Sequence, residues 1–228
     1  MVKTQVIPLN KEEMNRLIEA SMDNDFYHMF FLVAMTTGRR IGELYGSRKK
    51  IEVSRKIIGK KIEYDLEGNE VALAKTRANY KFLNEFVGGV KVKDIDFEKG
   101  IMKVWVLKRG KPIQDETILI PEVLKTIKYY IVKNKLSQED YLFREKTYRG
   151  IQEAVKAYAK KAKINHAVSP HVFRHFFITE LKKKGWTNDK ISKLTGHKAV
   201  SSLTVYDHVL ASDIKDEAMK DLKEIYNG

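Results

Sequence analysis

Residues 169–175 read Ser-Pro-His-Val-Phe-Arg-His, and this stretch organises the reading of the whole chain. Ser169 suits a helix N-cap and Pro170 the first helical position, where its missing N–H would be unpaired anyway. His171, Arg174 and His175 then fall at i, i+3 and i+4, on one face near the start of the helix. That end of a helix already presents free backbone N–H groups and the positive end of the dipole. A cationic cluster there does not stabilise the helix, so something anionic must offset it, and phosphate is the obvious candidate. Lys182, Lys183 and Lys184, with Gly185 beyond them, close the helix in the ordinary way.

Outward from this stretch, everything after Pro121 has helical periodicity, with helices expected over 122–134, 148–163, 170–184, 188–194, 202–210 and 213–226. Upstream, a small sheet is expected: a strand over 92–97, a turn at Glu98-Lys99-Gly100, and a strand over 101–108 containing Trp105. A turn at Arg109-Gly110-Lys111-Pro112 and a returning strand over 117–120 complete it. At the start, Asn10 and Glu13 have the spacing of a capping box, and Met14, Leu17 and Ile18 give one apolar face. A second helix, about 26–36, is apolar nearly all round and should lie in the core, ending at Gly38 before a short segment over 40–45. Between 46 and 90, Ile62, Tyr64 and Leu66 alternate, Gly68-Asn69 turns, and Val71 and Leu73 alternate again. This predicts a basic hairpin, followed by a short helix over 77–87. Trp105 and Trp186 are expected in the core. The fold class is mainly α with a small antiparallel β-sheet.

Composition narrows the function. The chain has 228 residues, with 43 Lys and Arg against 30 Asp and Glu, a formal charge of +13. Such a surplus favours a polyanionic partner, because each cation set on a phosphate releases a condensed counterion. There is no cysteine, which excludes disulfides, thiolate metal sites and cysteine nucleophiles. No secretory leader is visible in residues 1–10. The longest strongly apolar stretch, residues 30–35, is far too short to cross a bilayer, so the protein is expected in the cytoplasm.

Three further pieces accompany HVFRH at 171–175. They are TGRRIGEL at 37–44, TGH at 195–197, and Tyr206, nine residues after His197. In this order and spacing the chain resembles the tyrosine recombinases, the family that includes phage and archaeal integrases. One such motif alone says little; four in register form a specific signal. The resemblance covers nearly the whole chain, as the family's catalytic domain. It implies duplex DNA as partner, a 3′-phosphotyrosine intermediate with a free 5′-OH, and a Holliday junction within a tetramer on DNA. It implies no metal and no cofactor, since the energy of the broken phosphodiester is kept in the phosphotyrosine. The sequence carries no P-loop or carboxylate cluster.

By the same resemblance, Arg40 and Arg174 clamp the non-bridging oxygens of the scissile phosphate, a task suited to the planar, bidentate guanidinium. Arg40 is preferred to Arg39 because the family's arginine lies three residues after the threonine. Glu43 orients Arg40. Tyr206 is the nucleophile; a phenol has a pKa of about 10, so attack at neutral pH needs proton removal, and His171 is the candidate to assist. His197 hydrogen-bonds the phosphate, and His175 supports the site. A hairpin lysine protonates the leaving 5′-oxygen; Lys108 is preferred, with Lys111 as runner-up. Arg48, Lys49, Lys50, Lys60, Lys61 and Lys111 are the candidate DNA-backbone contacts.

The chain departs from the family in two places. Full-length members carry an N-terminal helical domain that closes a clamp round DNA, whereas this chain starts almost where the catalytic domain starts. A single catalytic domain over 1–228 is therefore expected, without that core-binding domain. The stretch from Arg40 to Lys108 is long, apparently through a basic insertion at about 46–90. A tail helix over about 212–226 carries Ile214, Ala218, Leu222 and Ile225 as a stripe, which suits docking on a neighbouring subunit or packing in cis equally well. Two rival functions share most of these features. They are DNA relaxation of the type IB topoisomerase kind, and DNA binding by a relative that has lost catalysis. An address beside the nucleoid, or in the host of a virus or mobile element, goes with the recombinase reading.

Overall fold

The structure is a computed structural model that describes residues 8–57, 63–64, 70–71, 78–108, 111–196 and 215–227. In chain order the elements are α1 (Lys11–Ala20), α2 (Asp25–Thr37), α3 (Ile41–Tyr45), β1 (Ser47–Ile57), β2 (Glu63–Tyr64), β3 (Glu70–Val71) and β4 (Ala78–Val87). Then come β5 (Ile95–Asp96), β6 (Ile101–Lys108), β7 (Lys111–Ile118), α4 (Pro121–Lys133), α5 (Tyr148–Lys161), α6 (His171–Lys183), α7 (Asn188–Thr195) and α8 (Lys215–Asn227). The mostly helical class with a small antiparallel sheet is as the sequence predicts. Candidate helix 202–210 lies outside the described residues. No helix among those described is long and apolar enough to cross a membrane.

The chain divides into two compact units, one formed by Met1–Gly46 with Gly88–Gly228, the other by Ser47–Val87. The larger unit is built round α2, whose residues from Met29 to Thr37 are all buried. Phe31 meets Phe173 of α6 with ring centroids 5.1 Å apart, and Phe30 meets Phe143 edge-on at 5.3 Å. Burial of each such ring contributes about 1.5–3 kcal/mol. The helix starts at Asn24, whose side chain accepts from the Tyr27 N–H, and stops at Gly38, whose φ is +60°. Upstream, the capping box of α1 is complete: the Glu13 N–H donates to Asn10 at 2.8 Å, and the Asn10 N–H to the Glu13 carboxylate at 3.0 Å.

The sheet of this unit runs β5-β6-β7, all antiparallel. Strand β6 alternates: Met102, Val104 and Val106 are buried, while Lys103 is exposed and Trp105 half-buried. Trp105 is therefore not the core residue expected of it, because the period of two puts it on the opposite face from Val104 and Val106. Trp186 is buried, as expected. The strand expected over 92–97 is shorter, since Val92–Asp94 forms a 3-10 turn in which Lys91 N–H donates to the Asp94 carboxylate. The returning strand is longer than expected and begins at Lys111, so that lysine belongs to β7 and not to the turn. Ala218, Leu222 and Ile225 of α8 are buried within the chain itself, and Trp186 Nε1 donates to Asp221 at 2.6 Å. The tail stripe is thus packed in cis at these positions.

The smaller unit is a two-stranded antiparallel ribbon of β1 with β4, in register from Ser47↔Val87 to Ile57↔Ala78, with a bulge between Glu52 and Ser54. Within it β2 pairs with β3, matching the alternation that predicts a hairpin there. The helix expected over 77–87 is corrected to a strand. Tyr80, Phe82 and Phe86 recur with period two, and aromatic residues fit a pleated surface better than a helix. In the larger unit, the flanking turns are tied by Arg144, which donates from Nη2 to the Gly88 carbonyl at 3.0 Å and from Nε to that of Tyr45 at 3.2 Å.

Two changes test this local logic. A Cβ at Gly38 would sit 2.4 Å from Phe177 Cδ1 in a left-handed backbone, so Gly38→Ala is expected to cost about 2–4 kcal/mol in denaturant unfolding; a loss below 1 would show the turn to be adaptable. Asn10→Ala is expected to cost about 1 kcal/mol, read by the same titration, through loss of the α1 cap.

Candidate active site

Two helix ends converge on one guanidinium. Arg174, on the first turn of α6, is 5% exposed, and its Nη1 donates to the Gly38 carbonyl at 2.8 Å and the Thr195 carbonyl at 2.9 Å. Gly38 caps the C-terminus of α2 and Thr195 is the last residue of α7; each helix closes on a left-handed glycine, Gly38 or Gly196. C-terminal carbonyls lack partners within their own helix and carry the negative end of its dipole, so they are suited to hold a cation.

Helix α6 starts close to where its sequence suggests. Pro170 already has helical angles (φ −57°, ψ −18°), Val172 N–H donates to the Ser169 carbonyl, and no side chain caps the end. The first turn is therefore tight, and His171 and His175 stand exposed beside buried Arg174.

Arg40 immediately precedes α3 and is half-buried. Glu43, buried at the third position of that helix, accepts from the Arg40 N–H at 3.1 Å and from its Nη1 at 2.9 Å. One carboxylate thus caps the helix and fixes the arginine. The positive groups press on one another. Burial and then Arg40 push the Arg174 guanidinium down to about 10, with Glu43 opposing, and it stays charged at neutral pH. Partial desolvation, followed by His175, Arg40 and Arg174, holds His171 below its ordinary value of 6.5, so its imidazole is neutral at pH 7.

Arg39 has the opposite fate to Arg40. Its side chain is fully buried and donates from Nη1 to the Asp115 carboxylate at 2.8 Å and from Nη2 to the Glu116 carbonyl at 2.6 Å, both on β7. Sequence reasoning set Arg39 aside and gave Asp115 no role. The two lie 76 residues apart, and no local pattern joins them.

The structure therefore brings together Arg40, Glu43, His171, Arg174 and His175. Lys108 and Lys111 form the last register pair at the end of the β6–β7 hairpin. Arg48, Lys49 and Lys50 lie on β1 of the ribbon. His197, Tyr206, Lys60 and Lys61 lie outside the described residues. Among the described residues no group of three or more His, Asp or Glu is placed to hold a metal ion.

Tyrosine recombinase XerA of Pyrococcus furiosus is 34% identical over 136 residues, covering 56% of this chain and 46% of that protein, so the chain spans less than half the length of this relative. Among solved structures, a XerA recombinase superposes with a TM-score of 0.58 at 22% identity, over 99% of this chain and 67% of the other. A lambda integrase dimer bound to a COC′ core site gives a TM-score of 0.51 at 16% identity, over 89% and 64%. At these identities the likeness is one of fold. Residues 84–213, more than half of the chain, match the phage integrase family; the match takes in Arg174 and its neighbours but not Arg40, which the fold supplies from outside it. The chain belongs to the phage integrase family.

Proposed function

We propose that this chain is the catalytic domain, over residues 1–228, of a site-specific recombinase that breaks and rejoins DNA strands, with the ribbon as an insertion. The observation that carries the reading is that Arg40, at the start of α3, acts electrostatically on buried Arg174 and neutral His171 in the first turn of α6. Like charges gathered there, at the positive end of a helix, are unfavourable until an anion lies between them. A scissile phosphodiester is that anion. The +13 charge of the chain and the DNA-bound state of the lambda integrase neighbour support duplex DNA as its source.

The step balances without an added reactant. Tyr206 Oη attacks phosphorus and its proton passes to His171, whose depressed pKa leaves it able to accept. The bond from phosphorus to the 5′-oxygen breaks, that oxygen takes a proton from Lys108 or, failing it, Lys111, and a 3′-phosphotyrosine remains. Reversal with another strand's 5′-OH rejoins the DNA. Arg40 and Arg174 meet the charge that grows on the equatorial oxygens, a contribution worth about 100-fold or more in rate for each group. His197 adds a hydrogen bond to the phosphate, Glu43 holds Arg40, and His175 supports His171. Arg48, Lys49 and Lys50 on β1, with Lys60, Lys61 and Lys111, bind the duplex backbone. Two rounds of exchange in a tetramer pass through a Holliday junction, in the cytoplasm where the DNA lies, at the nucleoid or in the host of a mobile element.

Covalent trapping tests the reading. Wild type and Tyr206→Phe are mixed with nicked duplexes randomised around the nick and run on a denaturing gel. A DNA-linked band is expected in wild type alone, on a 3′ end, and slowed about 100-fold or more in Arg174→Ala. Tight binding with no band on any duplex would replace the proposal with a catalytically dead binder; relaxation of supercoiled DNA without strand exchange would favour the topoisomerase. The pH profile gives a separate check. The rate should fall with falling pH as His171 protonates, along an acid limb below 6.5. His175→Gln removes a group that lowers the His171 pKa and should move that limb upward; an unmoved limb would make another group the base.

A further inference from the structure

Arg39 touches none of the groups assigned to the reaction, yet it spends a buried charge one residue from Arg40. Both halves of its guanidinium are used on β7, at 2.8 Å to Asp115 and 2.6 Å to the Glu116 carbonyl. A planar fork making two bonds fixes orientation as well as distance, which a single contact would not. The turn before His197 closes over the same pair. A Cβ at Gly196 would lie 2.6 Å from Arg39 Nη1 and 2.9 Å from Asp115 Oδ2, with Val106 of β6 at 3.6 Å. The pair is buried on the arginine side only, and even a fully buried ion pair is frequently no better than apolar packing. Arg39 Nε has no hydrogen-bond partner among the described residues, and the Arg39 charge adds to the repulsion that Arg174 bears.

We infer that the Arg39–Asp115 pair is a tether that sets the position of the β6–β7 hairpin end, and hence of its lysines, against the Arg40–Arg174 pair. The lever is long. Lys111 lies four residues beyond Asp115 along β7, about 13 Å in an extended strand, so a tilt of about 5° at the anchor moves the tip by about 1 Å. An error of that size at a reacting group costs about 100-fold in rate. Arg39 and Asp115 are thus positioning residues that act through Lys108 or Lys111. The inference rests on the proposal that one of those lysines protonates the leaving 5′-oxygen.

The test separates positioning from general damage. Asp115→Asn removes the charge at nearly constant shape, and Arg39→Lys keeps the charge but loses the fork. Each is compared with wild type by hydrogen exchange, and by trapping on the duplex selected above, made either with the ordinary 5′-oxygen or with a 5′-bridging sulfur. Sulfur leaves as thiolate and needs no proton donor. Expected are faster amide exchange over 104–114 with α2 and α6 unchanged, cleavage about 100-fold slower with oxygen, and less than about 3-fold slower with sulfur. Equal losses on both duplexes, or unchanged hairpin exchange, would overturn the inference. Failure of wild type on both duplexes sinks the strand-cleavage reading instead, and hairpin exchange alone then decides whether the tether exists.

Discussion

The placement of one buried cation, Arg174, constrains much of the larger unit. Its Nη1 needs two carbonyls, and they come from the ends of α2 and α7, 136 and 21 residues away in sequence. Both helices must therefore stop where they do, and both stop on a left-handed glycine. Gly38 is further held by Phe177, one helical turn on from Arg174, so the ring that seals the core also fixes the carbonyl that orients the arginine. Core packing of α2 against α6 and the geometry of the site are in this sense a single arrangement.

What the sequence made legible is what is local. The capping box of α1, the apolar α2, the stop at Gly38 and the i, i+3, i+4 face of His171, Arg174 and His175 depend on residues within a turn or two of one another. The ribbon was less legible. Strand β4 has a period-two pattern, but its partner β1 begins 31 residues earlier and is rich in Arg and Lys, so no apolar alternation flagged the pair. Trp105 was misassigned because residue type alone says nothing about which face of β6 it occupies.

The candidate site shows the same division. Arg40 and Glu43 are three residues apart and could be coupled on paper; Arg39 and Asp115 could not. Two adjacent arginines have opposite environments because the backbone leaves α2 at Gly38 in a left-handed turn. Arg39 then points into the protein, and Arg40 stands at the start of α3 beside its carboxylate. The motif spacing picks Arg40 of the two without showing why Arg39 is also charged.

The charge balance gives the site its physical sense. Arg174 donates to two neutral carbonyls, whereas Glu43 is set against Arg40 and Asp115 against Arg39. A carboxylate in place of the Gly38 and Thr195 carbonyls would hold Arg174 as firmly but would add a full negative charge beside it. Helix C-termini supply directed acceptors and no net charge. On the proposed function, the repulsion between Arg174 and Arg40 is relieved by the bound phosphodiester, and more so as further negative charge develops on its oxygens, so the interaction would grow towards the transition state rather than being exhausted on binding.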